Sequence, residues 1–320
     1  MPDTRYRPLG DSGLVVSRVG LGCNNLGRPK TRTQTVEGSQ AVVDAAVDAG
    51  ITLFDVADIY GGTPGLSEEI LGRCLAGRRD DVLIATKFGM DMRGANGPDF
   101  GARGSRRYIR RAVEASLRRL ETDYIDLYQY HQPDGVTPIE ETLAALDELV
   151  REGKVRYIGS SNFAAWQVVE ADYVAREAGG ARFISAQNYY NLLHRDPEDE
   201  LVPACQAYGV GVLPFFPLEN GLLTGKFRRD AEPAAGTRIG DTKSALHVNA
   251  DWDTIDAIRD FADQRGVSML QVAIGGLADQ PGVTSVIAGA TSADQVRANV
   301  EAGRWEPAAD DLDALAKITG

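Results

Sequence analysis

Tyr124-Ile125-Asp126-Leu127-Tyr128-Gln129-Tyr130-His131 is the stretch on which the reading of this 320-residue chain turns. It is almost continuously apolar or aromatic, shorter than an ordinary helix, and closed by a histidine. Runs of this kind read as strands buried on both faces, the habit of parallel sheets. Two more runs end on chemistry in the same way. Thr52-Leu53-Phe54-Asp55 continues into Val56-Ala57-Asp58-Ile59-Tyr60-Gly61, and Val82-Leu83-Ile84-Ala85-Thr86 closes on Lys87.

Apolar runs recur near 18–23, 51–55, 82–87, 124–131, 155–160, 183–188, 210–216 and 283–289, which makes eight strand candidates. Helical periodicity fills most of the gaps. Ile109, Val113, Leu117 and Leu120 follow Ser105 as N-cap, and Ile139, Leu143, Leu146 and Val150 run to Gly153. Ser292, Val296 and Val300 begin a helix that stops at Gly303, with Ser292 and Gln295 spaced as a capping box. Strands alternating with helices, with no linker between, predict an α/β fold in one domain over 1–320. They favour a (β/α)8 TIM barrel over an open doubly wound sheet. A short β-hairpin is expected first, Arg5 to Ser17 around Gly10-Asp11-Ser12-Gly13.

Bulk properties narrow the function. With 43% hydrophobic and 25% charged residues the chain can bury a large core. A net charge of −12 argues against a nucleic-acid partner. No apolar stretch reaches the roughly 18 residues of a membrane span, and Met1-Pro2-Asp3-Thr4-Arg5 lacks the core of a signal peptide, so a cytoplasmic protein is expected. Cys23, Cys74 and Cys205 show neither disulfide nor zinc spacing, and no metal motif occurs. There are 28 arginines and six lysines, so Lys87 and Lys226 stand out; lysine couples to a neighbour's ionisation as arginine does not.

In a parallel barrel the carboxyl ends of the strands carry the chemistry. Asp55, Tyr60, Lys87 and His131 all fall there. An ammonium beside a phenol lowers the phenol's pKa, a carboxylate positions the ammonium, and an imidazole can bind a carbonyl or join the relay. Spacing alone also allows a structural Asp55–Lys87 salt bridge, with Tyr60 a rim aromatic and His131 a satisfied strand-end histidine. His194 and His247 lie in loop contexts and read as bystanders.

Ser160-Ser161-Asn162 and Gln187 end the next two runs and suit a carboxamide, though Ser161 and Asn162 also suit helix capping. Pro214-Phe215-Phe216-Pro217 offers a ring to stack on a heterocycle. Lys226, Arg228, Arg229 and Arg238 make a basic island after strand seven, where barrels commonly hold phosphate. Residues 89–104, with five glycines, and 217–250 are long enough to be functional loops. Gly20-Leu21-Gly22-Cys23-Asn24-Asn25 is not a Rossmann fingerprint, because Asn25 stands where the third glycine belongs.

Together these segments resemble the aldo-keto reductase superfamily. The resemblance runs through Leu9-Gly10-x-Ser12-Gly13-Leu14, Asp55…Tyr60-Gly61, Gly65-x-Ser67-Glu68 and Thr86-Lys87. It continues through Asp126-Leu127-Tyr128-Gln129-x-His131, Gly153-Lys154-Val155-Arg156-x-Ile158-Gly159-x-Ser161-Asn162, Gln187-Asn188-x-Tyr190-Asn191-Leu192 and Gly221-Leu222-Leu223-Thr224-Gly225-Lys226. It implies NADP(H) bound in extended form and hydride transfer to an aldehyde or ketone carbonyl. Tyr60 would be the general acid, tuned by Lys87 and Asp55, with His131 orienting the carbonyl. The implied cofactor positions are Ser161, Asn162, Gln187, Phe215, Leu218, Lys226, Arg238, Gly289, Gln295 and Asn299. The partner implied is a small-molecule carbonyl. Two further readings stay open, a cofactor-sensing subunit of the channel β type and an NAD-linked sugar dehydrogenase. Where many members carry lysine and serine for the 2′-phosphate, this chain has Gly289 and Ala290, leaving Arg238 or Arg297 to supply charge.

Overall fold

The computed structural model describes residues 5–234, 236–242 and 244–320. A hairpin of β1 (Tyr6–Pro8) and β2 (Val15–Ser17) precedes eight parallel strands: β3 (Val19–Gly22), β4 (Leu53–Asp55), β5 (Leu83–Phe88), β6 (Ile125–Tyr130), β7 (Val155–Ser161), β8 (Phe183–Gln187), β9 (Gly211–Val212) and β10 (Val286–Gly289). Each expected strand is present. They form one curled sheet in the order β10-β3-β4-β5-β6-β7-β8-β9. Isolated parallel bridges, Val212 to Val283 and Phe215 to Ile287, link its two edges.

The β9 strand is shorter than the apolar run 210–216 suggests. Pro214 has no N–H to give the ladder, so the run continues only as single bonds, Leu213 N–H to Ala186 O and Phe215 N–H to Asn188 O.

Helices follow the strands: α1 (Val36–Asp48), α2 (Leu66–Cys74), α3 (Arg106–Leu120), α4 (Ile139–Arg151), α5 (Ala165–Ala178) and α6 (Leu201–Tyr208) after β3 to β8 in turn. After β9 come α7 (Arg238–Thr242), α8 (Ser244–Val248), α9 (Trp252–Arg265) and α10 (Met269–Gln271), and after β10 come α11 (Ala293–Ala302) and α12 (Ala309–Thr319). Ser105 caps α3 and Ser292 caps α11 as expected. The capping box does not form, since Gln295 Oε1 accepts from Thr291 N–H rather than from Ser292.

Side chains alternate along each strand, and this decides what faces inward. Phe54, Ile84 and Tyr128 join the helices in the main core. Leu53, Ala85, Leu127, Leu213 and Ile287 point the other way and pack with Leu9, Leu14 and Val16 of the hairpin. The hairpin thus plugs the amino end of the sheet. Gly10 lets it dock: its φ is +55°, and a Cβ there would lie 2.4 Å from Gly209 O. Two residues further along the inward series stand Asp55, Lys87 and Gln129, and then His131.

Neither long loop is bare. In 217–250, Leu222, Leu223, Phe227 and Ile239 pack with Trp252, Ile255, Ile258 and Phe261 into a second core. In 89–104, Met92 and Asn96 are buried, and the Gly104 N–H is held by Asp134 at 2.7 Å.

Candidate active site

The inward series delivers the quartet to one place. Lys87 is fully buried, and its Nζ donates to Asp55 Oδ2 at 2.8 Å and to Val56 O at 3.0 Å. Its third contact is Tyr60 Oη at 3.5 Å. Tyr60, on the turn between β4 and α2, stands edge-on to His131, with centroids 5.8 Å apart at 86°. The backbone N–H of His131 is fixed by Phe88 O at 2.8 Å, and its carbonyl accepts from Asn162 Nδ2 at 3.0 Å.

Burial and charge set the protonation states. Burial raises the Tyr60 phenol; the Lys87 ammonium pulls it down, Asp55 pushes it up, and the net direction is upward. The lowering expected from the lysine is therefore present but outweighed. Burial opposes the charge on Lys87, yet Asp55 and Tyr60 together hold its pKa above the ordinary lysine value. Burial, followed by the Lys87 charge, pushes His131 well below 6.5, so the ring is neutral at pH 7. A neutral imidazole offers one donor and one acceptor, and His131 Nδ1 has no partner among the described residues.

Asp55 is bound on both oxygens. While Lys87 takes Oδ2, Gln187 Nε2 donates to Oδ1 at 2.8 Å and Gln129 Nε2 approaches the same oxygen at 3.3 Å. Gln129 was not among the candidates read from the sequence. Its signal is positional: it is the inward residue two places before His131.

Ser161 ends β7 buried, and exposed Asn162 follows with φ +57° and donates to Ser161 Oγ at 3.2 Å. These residues, Gln187 and the quartet form one connected set. Half-buried Phe215 stacks on Tyr189 at 5.7 Å and meets Phe216 edge-on at 5.2 Å. The Arg238 guanidinium lies over the Phe216 ring at 5.2 Å. Leu218 packs at the junction of the two main cores.

The basic island divides. Arg229 is ion-paired with Asp253, and Arg228 turns back onto Gly225 O and Phe227 O. Lys226 is exposed, lies 5.1 Å from the centre of the Phe227 ring and has no carboxylate partner among the described residues. Burial and then the Arg28 charge lower the Arg238 pKa, which identifies Arg28 as a second cation nearby that the sequence did not single out.

A separate group gathers at the end of β10. Asn299 Nδ2 reaches Gly289 O at 3.5 Å, and Asn25 Nδ2 reaches Ala290 O at 3.3 Å. A Cβ at Gly289 would come 3.0 Å from Asn25 Nδ2, so Asn25 crowds the space a side chain there would need. Gln295 is exposed and tied to Thr291, and Arg297 is paired with Asp294 at 2.6 Å.

A sequence model described as the Aldo/keto reductase family matches residues 18–319. The chain is 39% identical over 290 residues to a versiconal hemiacetal acetate reductase of Aspergillus parasiticus, covering 84% of each chain. It is 36% identical over 309 residues to an L-glyceraldehyde 3-phosphate reductase of Escherichia coli K12, covering 93% of this chain and 87% of that one. It is also 35% identical over 311 residues to a probable voltage-gated potassium channel subunit beta of Oryza sativa subsp. japonica, covering 93% and 90%.

Proposed function

The chain belongs to the aldo/keto reductase family, and from that premise we propose that it is an NADP(H)-dependent reductase of aldehyde or ketone carbonyls, its whole length forming one (β/α)8 barrel. The observation that carries this reading is Tyr60 Oη, held 3.5 Å from the buried Lys87 ammonium and edge-on to a neutral His131.

The residues present fit a nicotinamide dinucleotide. The nitrogen of Gln187 is engaged with Asp55, which leaves its carbonyl oxygen for a carboxamide N–H. Ser161 and Asn162 supply the complementary polar groups, and Phe215 the aromatic surface. Lys226 and Arg238 would meet phosphates, with Leu218, Gly289, Gln295 and Asn299 along the remaining length. Arg28 beside Arg238 supports NADP over NAD where Gly289 offers no side chain.

Bound nicotinamide would supply the hydride that reaches the carbonyl carbon. Tyr60 gives its proton to the carbonyl oxygen as charge develops there, producing the alcohol. Lys87 stabilises the phenolate left behind, and Asp55 holds Lys87 charged and aimed. His131, neutral, donates a hydrogen bond that orients the carbonyl without competing as an acid. The same groups run the reaction in reverse.

Similarity to the channel subunit beta favours a second reading, a cofactor sensor with slow turnover on the same quartet. Steady-state assays with NADPH and NADH over aldehydes, ketones and aldoses separate the two. Tyr60→Phe abolishes reduction while leaving NADPH affinity nearly unchanged, because the proton is given only in the transition state. Collapse of NADPH binding in that variant would make Tyr60 a structural residue.

A further inference from the structure

Behind Tyr60 lies a buried polar cluster that the reaction described above does not use. Asp58, two residues before Tyr60, is fully buried, and its backbone N–H donates to Lys87 O at 3.2 Å. Its Oδ2 accepts from Asn96 Nδ2 at 3.1 Å, while Oδ1 has no partner among the described residues. Asn96 sits in the middle of the glycine-rich loop 89–104, only 6% exposed. Its amide nitrogen also reaches Tyr108 Oη at 3.4 Å, and its oxygen accepts from Arg119 at 3.3 Å. Arg119 in turn binds Glu68 at 2.6 Å, and Glu68 accepts from Thr86, the neighbour of Lys87, at 2.6 Å. Gly65 makes room for this: with φ +90°, a Cβ there would lie 2.6 Å from Arg119 Cδ.

The cluster therefore joins three segments that must agree for proton donation: the turn carrying Tyr60, the strand carrying Lys87, and the loop 89–104. Resting on the carbonyl-reductase reading, we propose that Asp58 and Asn96 form a latch through which that loop holds Tyr60 in register with Lys87, making both positioning residues. Asn96 is the loop's inward anchor, and Asp58 is its acceptor on the turn.

Charge balance says which form of Asp58 does this. Two buried carboxylates, Asp58 and Glu68, face one cation, Arg119, and Glu68 holds the direct ion pair. Burial, followed by the Glu68 charge, pushes the Asp58 carboxyl well above the usual range. The other titratable groups facing it, Tyr108 and Tyr128, are themselves raised by burial and stay neutral. Burial and the Glu68 charge thus favour the protonated form of Asp58, whose Oδ2 still accepts from Asn96, a role that the amide oxygen of asparagine can fill.

With NADPH and 4-nitrobenzaldehyde as the probe carbonyl, Asn96→Ala and Asp58→Ala each lower kcat by roughly tenfold while the Kd of NADPH holds. Asp58→Asn restores kcat to within about twofold of the unsubstituted chain. The double alanine variant is no slower than the slower single one, because both cut the same contact. Hydrogen exchange speeds up in 89–104 in both alanine variants and not in Asp58→Asn. An unchanged kcat in Asn96→Ala would overturn the latch, as would Asp58→Asn being as slow as Asp58→Ala. If Asp58→Ala does not fold, Asn96→Ala decides alone. If the unsubstituted chain reduces no carbonyl, the functional reading fails by itself, and faster exchange in 89–104 on losing Asn96 still upholds or, by its absence, sinks the latch.

Discussion

Gln187 donates its side-chain amide to Asp55 Oδ1 at 2.8 Å across 132 residues of chain. The other oxygen of that carboxylate holds Lys87. The residue proposed to grip the cofactor's carboxamide and the lysine proposed to tune Tyr60 thus share one buried carboxyl group. On that proposal, cofactor grip and acid strength would be coupled through Asp55.

Gln187→Ala therefore affects two measurements. It leaves Asp55 Oδ1 with only the longer Gln129 contact, a loss of about 1–3 kcal/mol for an under-satisfied buried acceptor. We expect weaker NADPH binding by fluorescence titration and a lower kcat at saturating NADPH. A change in Kd alone would show that the shared carboxylate transmits nothing to Tyr60.

Arg238→Ala should weaken NADPH more than NADH, whereas Lys226→Ala should weaken both alike. Each removes a charge-assisted hydrogen bond of roughly 1.5–3 kcal/mol, hence about tenfold or more in Kd. Equal losses for both cofactors in Arg238→Ala would leave the 2′-phosphate to another group, with Arg28 the next to substitute.

The depressed His131 pKa makes a claim about stability. The folded chain keeps this ring neutral, while in the unfolded chain it takes a proton below about pH 6.5. The folded state binds fewer protons, so stability is present above that value and is lost as pH falls below it. In melts from pH 5 to 8, His131→Gln should gain Tm relative to the unsubstituted chain below pH 6.5, with a constant difference above pH 7. A gap that does not change with pH would mean that His131 titrates normally.

What was legible in the sequence follows from strand alternation. Asp55, Lys87 and His131 end apolar runs, so their type and place were visible, and Tyr60 follows from its short distance to Asp55. Gln129 was hidden because it lies inside its run, where only knowing which face turns inward distinguishes it from Tyr128 and Tyr130. Arg119 is one of several arginines on α3, and Asn96 lies in a loop of glycines; nothing local distinguishes either, since their partners come from other strands and turns. Apolar character overstates the reach of β9, because it says nothing of the N–H that Pro214 lacks. The order of the basic island was visible, but not that Asp253 draws Arg229 away.

The hairpin plug has a consequence for kinetic order. Leu9, Leu14 and Val16 close the amino end of the sheet interior behind Lys87. On the proposed reading, whatever reaches Tyr60 would enter and leave by the opposite rim, and the reactant that settles deepest would arrive first and depart last. For the proposed reductase, traffic of that kind would show in product-inhibition patterns as a compulsory sequence, with the oxidised dinucleotide competing with the reduced one and the alcohol competing with neither substrate.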